Sequence, residues 1–164
     1  MRLTREIYLL DPLKRTLFIL ETSSCKTITE IKKAIDCESV DAILLDGEHV
    51  LYFDDEGLKP GIDNYTIIEG HPDPLVGKIL IMHRELEESV LFADPQEILS
   101  KLRSYRPVVD PIIQIVETGS ENITTFLSAV NGFTARIVEI DLVVRRLSMA
   151  NVDQLFSRGG KAFA

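Results

Sequence analysis

No apolar run in this 164-residue chain approaches the ~20 residues that a transmembrane helix needs. The N-terminal MRLTREIYLLDP holds too short a hydrophobic stretch for a secretory signal and runs straight into Asp11-Pro12. Cysteine is scarce. Cys25 and Cys37 form no C-x-x-C pair, which excludes a thiolate zinc site or a thioredoxin-type redox motif, and without a signal peptide both are expected to stay thiols. The G-x-S-x-G, H-E-x-x-H, P-loop and G-x-G-x-x-G signatures are all missing. No internal repeat or low-complexity tract is visible. These absences lead to the expectation of a soluble, cytoplasmic protein with no membrane association, no cofactor and no familiar catalytic constellation.

What is present describes an ordinary globular chain, 45% hydrophobic and 27% charged, long enough for one well-buried core or two small units packed together. The net charge of −8 is unevenly distributed. Residues 1–35 carry seven bases and four acids, residues 36–97 three bases and sixteen acids, and residues 98–164 eight bases and six acids. The middle segment is therefore net −13, a concentration that attracts a basic partner or a cation and repels nucleic acid. The plainer alternative is a set of solvated turns with no partner at all. Arg145-Arg146 is too short a basic cluster to argue nucleic-acid binding.

Residues 6–10 and 16–20 read as β-branched or aromatic-rich strands joined by a turn over Asp11–Arg15. Thr27-Ile28-Thr29-Glu30 is a capping box, and Ile28, Ile31 and Ile35 behind it fall on one helical face. Residues 42–53 place Asp46-Gly47 between two apolar runs, which predicts a type I′ hairpin. Short strands follow at 66–69 and 78–83. Asp94-Pro95-Gln96-Glu97 signals a helix running to about Tyr105. Beyond Pro107 and Pro111 the reading is a strand at 112–116, a helix capped by Ser120 and a strand over 135–144, with Ile123, Phe126, Leu127 and Val130 at helical spacing. A last short helix is expected from Ser148. The order is ββαβββ, a helix, then βαβ and a terminal helix. That predicts an α+β fold with a mixed small sheet and a parallel pair in the C-terminal part. Three parts are expected: 1–84, a connecting helix region over 85–106, and 107–164, packed against the first.

Several stretches together resemble a family of small uncharacterised proteins encoded mainly by bacteriophages, plasmids and other mobile elements. They are EIYLLDP, the helix followed by Asp36-Cys37, LDGEHVLYFDDEGL and EGHPDPLVGKILI, over residues 6–83. In that family the last stretch reads glycine, an aromatic or polar residue, Pro-x-Pro-Leu, a small residue, glycine. Gly70, Pro72, Pro74, Leu75 and Gly77 match, while His71 stands where an aromatic is expected and Val76 where a small residue is usual. The resemblance implies a mobile-element accessory protein with an α+β fold and no catalytic residues to carry over.

The 70–83 loop is the main candidate site. His71 and Asp73 each precede a proline and are pushed toward extended geometry, and Gly77 permits a sharp approach to the next strand. The residues singled out for binding are Gly70, His71, Pro72, Asp73, Pro74 and Gly77, with Glu85, Glu87 and Glu88 beyond. The structural alternative is a stiff bend that closes a small sheet, and it is the preferred one. His71, Asp73 and His83 fit no standard metal-ligand spacing, and Asp54-Asp55-Glu56-Gly57 lacks the alternating ligands of a calcium loop. Ser24-Cys25 has no evident base. The leading expectation is a non-enzymatic mobile-element protein that binds another protein with a basic surface, such as a host or defence protein. A small enzyme or ligand binder using the 70–83 loop, and a self-associating protein, are the alternatives.

Overall fold

The computed structural model describes residues 5–22, 27–58, 63–84 and 94–147. Its elements in chain order are β1 (Arg5–Asp11), β2 (Thr16–Thr22), α1 (Ile28–Ile35), β3 (Val40–Leu44), β4 (His49–Asp54), β5 (Tyr65–Ile68), β6 (Leu75–Val76), β7 (Ile79–His83), α2 (Pro95–Ser100), β8 (Leu102–Ser120), β9 (Ile123–Glu139) and β10 (Val143–Leu147). They build two sheets: sheet A in the order β10-β2-β1-β7-β4-β3, and sheet B in the order β6-β5-β8-β9. Strand dominates and both helices are short, which overturns the α+β expectation.

The centre of sheet A is apolar on both faces, which is why β1, β2 and β7 read as hydrophobic runs rather than alternations. On one face Ile7, Leu9, Phe18, Leu20, Leu80 and Met82 meet Ile31, Ala34 and Ile35 of α1. On the other, Tyr8, Leu10, Leu17, Ile79 and Ile81 pack against Ile68, Leu75, Ile98 and Leu102 from sheet B and α2. The capping box forms as expected, with the Thr27 hydroxyl accepting from the Glu30 amide and the Glu30 carboxylate accepting from the Thr27 amide at 3.0 Å. Asp36 ends α1 in the left-handed region, φ 59°. Cys37 behind it is a half-buried free thiol, and burial pushes its pKa up to about 11; Cys25 lies outside the described residues.

Between β3 and β4 the expected two-residue turn is replaced by a longer loop. Leu44 pairs with Val50, and neither Asp46 nor Gly47 has positive φ, so the geometry that a type I′ turn requires is absent. The Asp46 carboxylate shapes this loop instead, accepting from the amides of Glu48 and His49, both at 2.8 Å. It is approached by His49 Nδ1 at 2.9 Å and accepts from Lys101 Nζ at 3.0 Å, which ties sheet A to the start of β8. Burial opposes its charge, but the bonds from Glu48, Lys101 and His49 hold the carboxyl well below the usual carboxylate range.

The C-terminal part departs furthest from expectation. α2 begins as predicted, with Asp94 capping the Gln96 amide and Pro95 in the first turn, but it ends at Ser100 rather than near Tyr105. The predicted helix from Ser120 is strand β9, and the predicted βαβ unit is one long antiparallel hairpin, β8–β9. Ile-Thr-Thr-Phe at 123–126 is rich in β-formers, and a partner strand of similar length lies immediately upstream across Glu121-Asn122. The i, i+3, i+4, i+7 apolar spacing arises because the ribbon carries hydrophobic side chains on both faces. Pairing with β9 continues unbroken through Pro107 and Pro111, so neither donates toward β9 and both blunt the open edge of β8.

The expected strand at 135–144 is divided between sheets. β9 stops at Glu139; Ile140 then donates to the Ser104 carbonyl in sheet B, and Val143 donates to the Arg15 carbonyl at the turn that enters β2 of sheet A. The parallel pairing that does exist joins β10 to β2, from Val143↔Thr16 to Leu147↔Leu20. Arg146 bridges Glu6 and Glu21 across it, with 2.9 Å to Glu21. The helix expected from Ser148 lies outside the described residues. No helix among the described residues is long and apolar enough to cross a membrane.

Candidate functional site

The 70–77 loop is where the chain leaves sheet B for sheet A. β5 ends at Ile68, and Gly70 turns the backbone at φ 79°. Leu75 and Val76 then pair back onto Thr66 and Tyr65. Gly77, at φ 85°, redirects the chain so that Ile79 enters sheet A beside Leu10. Both glycines sit in the left-handed region that side chains disfavour, a geometric reason for glycine at each end of the motif. The stiff bend that the two prolines predicted is thus a crossover between sheets.

His71 is half-buried and engaged by its own loop. Its amide donates to the Ile68 carbonyl at 3.1 Å, and its Nδ1 lies 3.0 Å from the Asp73 carbonyl oxygen and 3.3 Å from the Asp73 amide. Pro72, Asp73 and Pro74 are exposed. Glu85, Glu87 and Glu88 lie outside the described residues. His83 is far from this use: it closes β7 opposite His49, the two rings meeting edge to face at 5.6 Å.

Between this loop and the β3–β4 hairpin lies a cleft of about 320 Å³. Its floor is apolar, built from Ile43, Phe53, Leu75 and Val76, with Leu58 and Pro74 beside them. Its rim carries Asp41, Asp54, Asp55 and Asp73 with His71, and among the described residues no Lys or Arg lines it. The hairpin supplies the first three acids through its register, Val40 opposite Asp54 and Asp41 opposite Phe53. Asp54 is partly occupied, accepting from the Glu56 amide at 2.9 Å. Gly57 allows the 54–58 turn to close on β6, since a Cβ there would stand 3.2 Å from the Val76 carbonyl oxygen. The arrangement suits a group with a cationic end and an apolar body. No group of three or more His, Cys, Asp or Glu among the described residues is placed to hold a metal ion.

Of the residues that the sequence pointed to, His71, Asp73 and Pro74 line this cleft, while Gly70 and Gly77 shape its wall without entering it. Asp54 and Asp55, set aside as a calcium loop, join them. Asp41, Ile43 and Phe53 escaped notice because only strand pairing brings them opposite a loop some thirty residues away, and the pattern of either segment alone carries no sign of it.

No family model matches the chain, and no solved structure matches it. An uncharacterised protein, y4iR, of Sinorhizobium fredii (strain NBRC 101917 / NGR234) is 34% identical over 111 residues, covering 64% of this chain and 66% of the relative. Protein PsiB of Rhizobium leguminosarum bv. phaseoli is 29% identical over 90 residues, covering 52% of this chain and 66% of the relative. Each match thus spans just under two thirds of the relative's length. These similarities fit a small plasmid-encoded family of rhizobial proteins. They carry neither a phage origin nor the loop motif.

Proposed function

We propose that this protein is a plasmid-type accessory protein that works by binding, and that the cleft between the 70–77 loop and the β3–β4 hairpin takes a basic side chain from a partner protein of the host. One observation carries the reading: four carboxylates ring an apolar floor and, among the described residues, no cationic side chain lines the cleft. An arginine or lysine matches it physically, because the long stem lies along Phe53, Leu75 and Pro74 while the charged head stays at the wet rim among the aspartates. Exposed charges of this kind act mainly on encounter rate and orientation, and the apolar floor supplies the grip. The net −13 of residues 36–97 extends the same attraction over a wider surface.

A second reading, a small-ligand or small-enzyme site in the same cleft, has the volume in its favour, since ~300 Å³ is the lower end of small-molecule pockets. The two are separated by one experiment. The tagged protein and its Asp41→Asn/Asp55→Asn/Asp73→Asn variant are used to capture partners from the native host at low and high salt. Recovery of a basic protein by the wild type at low salt, lost in the variant and at high salt, is the expected result. Equal recovery by both proteins at every salt concentration overturns the cleft as the contact.

A further inference from the structure

The β8–β9 ribbon carries an uncovered apolar face, and we infer that its occupant is the same face of a second copy of this chain, stacked on it as an antiparallel two-fold dimer. Cross-strand partners share a face, and the alternation along β8 carries the two faces past the register shift between Ile112 and Ile113. One face holds Val109, Ile113, Ile115, Val130, Phe133 and Ile137, together with Phe126 opposite Glu117. All seven are between 57% and 68% exposed. The other face is interrupted by the Asp110–Arg136 ion pair and by Gln114, Thr118 and Thr125, and its exposed large apolar members among the described side chains, Ile112, Val116 and Leu127, are fewer.

The area fits a second copy. Seven large side chains exposed to this degree present on the order of 700 Å², above the ~300–600 Å² of the largest patch on an ordinary monomer and near the ~800 Å² per partner of a standard interface. The charges fit as well. On this face they sit only at the two ends, Glu117 toward the tip and Arg103 bonded to Glu139 at 3.0 Å at the base. An antiparallel two-fold stack leaves the middle dry and brings each Glu117 toward the partner's Arg103 end, which a parallel stack does not. Strand addition along the base of the β8 edge is disfavoured, because Pro107 and Pro111 withhold donors there. Edge pairing through β9 would in any case leave the apolar face in water. A membrane is the poorer occupant, since the charged residues between Pro111 and Ala135 are two acids, Glu117 and Glu121, and anionic lipid repels them.

Face-to-face stacking buries apolar area, so the dimer resists salt, unlike the contact proposed for the cleft, and the two ideas fail separately. The test is sedimentation of the full chain from about 1 to 100 µM, with Phe133→Glu on the stacking face and Leu127→Glu on the opposite face. Both positions are exposed, and circular dichroism checks that each variant retains its strand signal. The wild type is expected to convert to a dimer across this range at low and high salt. Phe133→Glu is expected to weaken it roughly a hundredfold or more, because the symmetry applies the loss twice, while Leu127→Glu leaves it within a few-fold. A wild type that stays monomeric at about 100 µM overturns the inference, as do equal effects of the two variants. A monomer that instead co-sediments with phosphatidylcholine–phosphatidylglycerol vesicles overturns it in favour of a lipid surface.

Discussion

Ile79 in sheet A and Ile115 in the ribbon are the same residue type in the same secondary structure, yet one is fully buried and the other is 68% exposed. Sheet A is covered on one side by α1 and on the other by α2 and the inner part of sheet B, so every apolar side chain along β1 and β7 finds a neighbour. The ribbon leaves that stack. β5 pairs with β8 only as far as Tyr65, whose ring stacks on Tyr105 with centroids 5.4 Å apart, and beyond that point β9 is the one described strand beside β8. Sequence patterning makes a strand; only a second layer makes a core. A two-stranded hairpin by itself is marginal in water, so the ribbon depends on its anchored base and on whatever covers its face.

The hardest blow to this contrast is Leu80→Ala, which opens a cavity in the fully buried centre of sheet A and is expected to cost about 2–5 kcal/mol. Chemical denaturation measures it, and a cost below that of an exposed ribbon substitution would break the comparison. Gly77→Val follows at about 1–3 kcal/mol. Beyond its chain neighbours no atom of the described residues lies within 4 Å of the added Cβ, so the loss comes from the backbone at φ 85° where the chain changes sheets. A variant with unchanged melting temperature would show that the crossover tolerates another path.

Asp46→Asn sharpens the picture, since it weakens the tie between the two sheets without touching either core. Near neutral pH it is expected to cost about 1–2 kcal/mol. The Asp46 carboxyl titrates below its unfolded value. Its contribution is therefore fully present above an unfolded pKa of about 3.9 and is lost as pH falls through the folded value. Denaturation curves of wild type and variant should run a constant distance apart down to about pH 4 and converge below it. The smallest effects belong to Ile115→Ala, measured in dilute monomer, and His71→Ala. Each is expected to stay within about 0.5 kcal/mol, because the Ile115 side chain remains largely in water and the His71 ring has its hydrogen bonds, among the described residues, within its own loop.

Local features were legible in the chain and distant ones were not. The Thr27–Glu30 capping box, the Asp94-Pro95 helix start and the first two strands each depend on residues within a few positions of one another, and each forms where expected. Ile123, Phe126, Leu127 and Val130 misled because a ribbon apolar on both faces imitates helical spacing. Asp46-Gly47 misled for a different reason: the Asp46 side chain has Lys101 to bind, 55 positions away, and that contact selects a longer loop than the dipeptide favours. The cleft was half visible, since Asp73 and Pro74 were singled out, whereas Asp41 and Phe53 meet them only after the sheets assemble.

The parallel pairing of β10 with β2 sets a timetable for synthesis. β2 is complete at Thr22, but the strand that covers its outer edge ends at Leu147. At ~5–20 residues per second the ribosome needs roughly 6–25 s to make the intervening chain. Throughout that interval the nascent protein carries a finished strand with an open edge and, later, an apolar ribbon, the two surfaces that chaperones recognise and that stray pairing exploits. Slow codons or low temperature lengthen the exposure in proportion. The yield of folded protein is then governed by when residue 147 arrives and by how many other unfinished chains are nearby at that moment.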